Sequence, residues 1–306
     1  MILPTTDLGY GWRTGDITGD GVSDVLVGAD EVDGAGLPVS DNRGAAYVIR
    51  GGVYLDNAPT VIDLADFGTE DFPEALRGQV ARVDPPLQSA NYHFGGTVQL
   101  ADLDGNQRMD VLVAATLSRS GGNLRLPNAP ANTGEGSGGS RDGSVFIVWD
   151  ENFPPGPWPN GYQFSADSPP QGNFTRIDGD PAYTNFGEEM IGGLDFSGDG
   201  FPELFVGDLI AGPDNRPVAG IGYILYNAGN LRGRSFRIDT PPSGVVVTTI
   251  SFGHGLSSAH KHDQCPEPKI LCTKGELLRP RSANLATWFR RINRSYFISR
   301  IRISLN

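Results

Sequence analysis

One nine-residue pattern constrains this chain more than anything else in it. An acidic, glycine-containing loop recurs three times, each time running into a short apolar segment. The first copy is Asp16-Ile17-Thr18-Gly19-Asp20-Gly21-Val22-Ser23-Asp24, followed by Val25-Leu26-Val27-Gly28-Ala29. The second is Asp102-Leu103-Asp104-Gly105-Asn106-Gln107-Arg108-Met109-Asp110, followed by Val111-Leu112-Val113-Ala114. The third is Asp195-Phe196-Ser197-Gly198-Asp199-Gly200-Phe201-Pro202-Glu203, followed by Leu204-Phe205-Val206-Gly207. The pairs Leu8-Gly9, Phe94-Gly95 and Phe186-Gly187 precede them at a similar distance. An element that returns in the same setting marks a repeat architecture.

Each loop is followed, after an insert of variable length, by a glycine and a run rich in aromatic and β-branched residues. These runs are Gly44–Ile49, Gly143–Val148 and Gly220–Tyr226, and they read as strands. A weaker outer strand is expected at Thr60–Leu64 and Ser235–Ile238. With 42 Gly and 23 Pro in 306 residues, the chain is composed for short strands and tight turns rather than long helices. Four short antiparallel strands per unit is the pattern of a β-propeller blade. The expected fold is therefore all-β, with about three blades and the start of a fourth across residues 1–255. So few units predict an open arc, or a closure in which the N-terminal strand pairs late in the chain. The longest insert, Ser118–Arg141, is rich in Gly, Ser and Asn and reads as flexible.

Oxygens at loop positions 1, 3, 5 and 9, with a main-chain carbonyl at 7, can converge on one cation. Copy one offers Asp16, Thr18, Asp20, the Val22 carbonyl and Asp24. Copy two offers Asp102, Asp104, Asn106, the Arg108 carbonyl and Asp110. Copy three offers Asp195, Ser197, Asp199, the Phe201 carbonyl and Glu203. Each copy has three carboxylates, which repel one another without a cation. An all-oxygen cage that includes main-chain carbonyls suits Ca2+ better than Mg2+, so up to three Ca2+ sites are expected. Gly21 and Gly200 permit the sharp turn at position 6, which Gln107 does not help in the same way. An EF-hand loop also begins Asp-x-Asp-x-Asp-Gly, but it needs a Glu at position 12 and a following helix. Position 12 here is Val27, Val113 and Val206, each in a β-type run, so the EF-hand reading fails at all three loops.

Phe-Gly before the loop and Val-Gly-Ala after it resemble the FG-GAP repeat of integrin α-subunit propellers, which also occurs in bacterial secreted and surface proteins. The resemblance covers about residues 8–255. It implies a propeller with Ca2+ bound through the fifteen residues named above. Departures are Leu8 for Phe, Ala114 for Gly, and Glu203 for Asp. The last keeps the charge but lengthens the arm, which leaves the geometry of the third site open.

A fourth copy opens at Phe252-Gly253, and its loop is due at position 260, eight residues on, as Asp102 follows Phe94. That position is His260, followed by Lys261-His262-Asp263-Gln264-Cys265, and the loop does not appear. Residues 256–306 carry ten Lys/Arg against three Asp/Glu, a net of +7; since the whole chain is −12, the preceding 255 residues are −19. All three Lys and both Cys lie in this basic tail. It is read as a poorly folded appendage produced by a shift of the coding frame near residue 260. Two sharper readings are weaker. His254, His260, His262, Cys265 and Cys272 lack zinc-knuckle spacing. Leu285, Trp288, Phe289, Ile292 and Tyr296, among arginines, have the spacing of a basic amphipathic helix.

The acidic body disfavours nucleic acid and favours divalent cations. No apolar stretch is long enough to span a membrane as a helix, and the N-terminus lacks the regions of a signal peptide. No G-x-S-x-G, P-loop or H-E-x-x-H motif occurs, and the one body histidine before the fourth copy, His93, stands beside Phe94; an enzyme is not expected. The function expected is a calcium-binding adhesion or ligand-binding module that meets a protein or glycan through its inserts, outside the cell or on its surface. The alternative is a non-catalytic accessory propeller of a larger secreted enzyme, similar to those of some phospholipases and peptidases.

Overall fold

The computed structural model describes residues 11–32, 43–52, 61–86, 92–116, 143–180, 185–208 and 220–251. The insert at 118–141, the opening of the fourth copy at 252 and the tail 256–306 lie outside the described residues. The fold is all-β. A first sheet is formed by β1 (Trp12–Gly15), β2 (Asp24–Ala29), β3 (Ala45–Ile49) and β4 (Val80–Asp84). A second holds β5 (Phe94–Ala101), β6 (Asp110–Ala115), β7 (Ser144–Val148) and β9 (Phe174–Asp178), with β8 (Tyr162–Ser165) in the connection before β9. The third holds β10 (Glu189–Leu194), β11 (Glu203–Asp208), β12 (Ile221–Leu225) and β14 (Val247–Ser251), with β13 (Ser235–Arg237) before β14. In each sheet the four main strands form an antiparallel meander in chain order, and none of the three sheets closes into a barrel. No helix among the described residues is long and apolar enough to cross a membrane.

The apolar runs after the acidic loops become β2, β6 and β11, which are buried almost throughout. Covered on both faces, they need no polar alternation, which is why they read as continuous apolar stretches. One core cluster joins the first and second sheets through Leu26, Val48, Phe94, Val113 and Phe146. Another joins the second and third through Leu112, Ile147, Phe186, Val206 and Tyr223. Phe94 and Phe186 are fully buried, one at each junction, and meet Phe146 and Tyr223 edge-on at 5.5 and 5.6 Å.

The glycines of the repeat have a physical role at these junctions. A Cβ on Gly28 would lie 2.0 Å from the Gly95 carbonyl oxygen, and one on Gly44 would lie 2.0 Å from that of Phe94. At the next junction Gly143 stands in the same way 2.2 Å from the Phe186 oxygen. Phe-Gly thus supplies a buried ring and a backbone that neighbouring glycine backbone approaches without a side chain between.

The outer strands depart from the expectation. The fourth antiparallel strand lies later in the chain than expected, at Val80–Asp84 rather than Thr60–Leu64 in the first sheet and at Val247–Ser251 rather than Ser235–Ile238 in the third. Leu64 opens a short 3-10 turn, Leu64–Asp66, and Thr60 lies outside the described residues. Ser235–Arg237 is a strand, but it pairs in parallel with β9 of the preceding sheet. β8 likewise leaves the second sheet and pairs in parallel with β4 of the first. Each of these connections therefore reaches back and covers its neighbour's edge, whose main-chain groups would otherwise go unpaired. The ladder is extended by Ala166 N–H donating to Asp84 O at 2.8 Å and Ile238 N–H to Asp178 O at 2.9 Å.

Candidate metal centre

All three acidic loops connect the first strand of a sheet to its second. Position 1 organises each loop. The Asp16 carboxylate accepts from the Gly19 and Gly21 amides at 2.7 and 2.9 Å. Asp102 accepts from Gly105, Asn106 and Gln107, and Asp195 from Gly198, Asp199 and Gly200. Position 5 caps position 7 each time: Val22 N–H donates to Asp20, Arg108 N–H to the Asn106 carbonyl oxygen, and Phe201 N–H to Asp199, at 2.8–3.0 Å. Short side chains that bond to their own backbone two to five residues on are what fold such a turn. Gly21 and Gly200 take left-handed backbone, with φ of 82° and 92°; Gln107 is forced into the same region at 70°.

Position 9 is the first residue of β2, β6 and β11, and it is buried in all three. One oxygen of Asp24 accepts from the Ile17 and Thr18 amides at 2.9 Å, and the other from Gly51 N–H at 2.9 Å. Asp110 does the same with Leu103 and Asp150. Glu203 accepts from Phe196 and Ser197 with one oxygen, but its other oxygen meets only the Ser197 hydroxyl, at 3.3 Å. Burial raises the pKa of all three, against the pull of these amides, and carries Asp110 to about 8. An uncompensated charge is costly in such a place.

The loops differ in their neighbours. In loop one, Arg50 Nη2 lies 2.8 Å from Asp20. Burial works against ionisation of Asp20, but the Val22 amide and the Arg50 guanidinium prevail and hold its pKa below the usual carboxylate value. In loop two, Asp104 is paired with Arg232, which also pairs with Glu151 and stacks on Trp149 at 4.3 Å. The Asn106 amide donates to Asp150, which in turn is paired with Arg108 at 2.8 Å. In loop three, Asp195, Asp199 and Glu203 each place a carboxylate oxygen within 4.8 Å of the others, the one such group of three among the described residues. Among the described residues, no ion pair engages any of these three.

All fifteen residues read from the sequence sit in the three loops or at their ends, but only the third loop gathers its carboxylates. The longer Glu203 arm, the departure that left this site open, reaches the cluster from its strand position. Of the position-7 residues, Val22 and Phe201 are solvent-exposed. The Arg108 side chain crosses to the neighbouring loop and donates to the Ile17 carbonyl at 3.1 Å, beside a Met109 N–H to Asp16 O bond of 2.9 Å. The sequence reading missed Arg50, Asp150, Glu151 and Arg232, which belong to other strands and connections. No protein-family model matches this chain, and no curated protein matches it either. His93 stands 3.6 Å from Asp30, away from the loops in the chain. The histidines and cysteines of the tail lie outside the described residues.

Proposed function

We propose that this protein is a calcium-binding β-propeller module of FG-GAP type, with the three sheets as its blades. On this reading it acts outside the cell or on its surface, where calcium is available to its acidic loops and its inserts meet a protein or glycan ligand. The observation that carries the reading is the group Asp195, Asp199 and Glu203, which each place a carboxylate oxygen within 4.8 Å of the others, with no basic side chain among the described residues paired to them. Charges so placed repel unless a cation lies among them. A flexible all-oxygen set of this kind, with Ser197 and the Phe201 carbonyl close by in the same loop, matches the preferences of Ca2+. The meander of each sheet and the face-to-face packing of neighbouring sheets through Phe94 and Phe186 support the propeller arrangement.

Calcium at about a hundred times its Kd would stabilise the folded chain by about 2.7 kcal/mol. Each kcal/mol is worth about 2–4 °C in Tm for a domain of this size. The expected result is a fall in Tm of roughly 5–10 °C on chelation, reversed by added CaCl2 and lost in Asp199→Asn. A melting curve that ignores both chelator and calcium would refute the reading.

A further inference from the structure

We infer that arginines take the place of the cation at the first two loops, so that the third loop alone is open to calcium. This rests on the calcium reading above and concerns how many of the three loops are filled.

Arg50 is not a loose surface partner for Asp20. Its side chain is 11% exposed, and its Nη1 donates to Gln79 Oε1 at 2.8 Å. Its own N–H is tied to the Gln79 carbonyl at 2.9 Å. The guanidinium is therefore fixed at the rim of loop one before any ion arrives. Arg232 is fixed in the same manner at loop two, between the Trp149 ring and the carboxylates of Asp104 and Glu151. There the neutral Asn106 also replaces a position-5 carboxylate, and Arg108 adds a second positive charge beside Asp150.

Strand register shows why, among the described residues, no arginine stands over the third loop as Arg50 stands over the first. Ile49, Val148 and Leu225 pair with Val25, Val111 and Leu204, the residues immediately after position 9. The next residues are therefore equivalent: Arg50 in the first sheet, Trp149 in the second and Tyr226 in the third. The third sheet has no base at the place from which Arg50 reaches Asp20, and none of the salt bridges among the described residues ends on Asp195, Asp199 or Glu203. A divalent ion entering loop one or two must displace a held guanidinium or sit within a few ångströms of it. Like-charge repulsion at that distance is strong in a partly desolvated setting, and separating a partly buried ion pair adds to the cost.

Loop one nevertheless retains the oxygens of a site. The Thr18 hydroxyl there is fully buried. That hydroxyl has no hydrogen-bond partner among the described residues. Removing the arginine therefore opens the loop.

The test is calorimetric titration of the full chain, stripped with chelator, with CaCl2. The wild type should bind one equivalent, and Asp199→Asn none. Arg50→Gln and Arg232→Gln should each gain a second equivalent, bound at least about tenfold more tightly than any residual binding of that loop in the wild type; tenfold corresponds to about 1.4 kcal/mol. Arg50→Lys, which keeps the charge, should stay at one. Two or three equivalents in the wild type, or one in both Arg→Gln variants with their fold intact by circular dichroism, would overturn the inference and leave the calcium reading standing. The wild-type stoichiometry decides the matter even if both variants fail to fold. No binding in the wild type would remove the calcium reading and the inference with it.

Discussion

Replacing Gly28 by Ala tests whether the repeat glycines are fixed by the contact between sheets. A methyl group there would meet the Gly95 carbonyl oxygen at 2.0 Å, the Gly95 carbonyl carbon at 3.0 Å and Val98 Cγ1 at 3.0 Å. Ordinary contact begins near 3.4 Å, so the junction would have to open by more than an ångström. Gly95 cannot retreat, because its own Cα faces the Ala45 carbonyl oxygen, 2.5 Å from where a Cβ would stand. Adjacent Phe94 is held by an N–H to Arg43 O bond of 2.9 Å. Overpacking a core site costs about 1–3 kcal/mol, and a clash between two main chains belongs at the top of that range. The reduced freedom of the unfolded chain returns about 0.4–1 kcal/mol. The net loss expected is about 2–3 kcal/mol, a large part of a native stability of about 5–15 kcal/mol. Urea unfolding followed by tryptophan fluorescence in saturating calcium measures it, with the midpoint falling and the slope unchanged. The second junction already carries Ala114 at this position, facing Gly187, so it is spaced for a methyl group. A Gly28→Ala variant within about 0.5 kcal/mol of the wild type would refute the argument, because surface-like tolerance cannot arise from a methyl carbon placed 2.0 Å from a backbone oxygen.

Gln107 holds a φ of 70° at the turn position where the other loops have glycine. A side chain in the left-handed region costs about 1–2 kcal/mol, and glycine gives back about 0.5–1 kcal/mol in chain entropy. Gln107→Gly should therefore raise stability by roughly 0.5–1 kcal/mol, seen as a higher urea midpoint; a lower midpoint would count against the strain. Burial raises the pKa of Asp110 from 3.8 to about 8. Between those values the folded chain keeps a proton that the unfolded chain has lost, so this group's contribution to stability falls as pH rises from about 4 to about 8 and is constant beyond. In chelator, the stability of Asp110→Asn should depend less steeply on pH over this window than that of the wild type, and identical slopes would exclude the effect.

Much of the fold was legible because it is local. Asp16 and Asp24 lie eight residues apart, and the carboxylates of each loop bond mostly to amides of the same loop. The loop thus folds by rules that a short stretch of sequence displays. The runs Ala45–Ile49, Ser144–Val148 and Ile221–Leu225 were readable for a similar reason, since burial on both faces demands continuous apolar sequence. Ser235–Arg237 shows the limit. Its composition announces a strand, but nothing in it says that its partner is β9 of the preceding sheet.

The sequence by itself determined three acidic loops and the strands on either side of them. Each of these depends on residues close together in the chain. Only the tertiary structure decided which loop gathers its charges without compensation. Arg50 reaches Asp20 across 30 residues and Arg232 reaches Asp104 across 128. The first pair exists only once the strands of one sheet have come together, and the second only once neighbouring sheets have packed. In the third loop the longer Glu203 side chain meets Asp195 and Asp199 locally, and it is the lack, among the described residues, of an arginine arriving from elsewhere that leaves those carboxylates uncompensated.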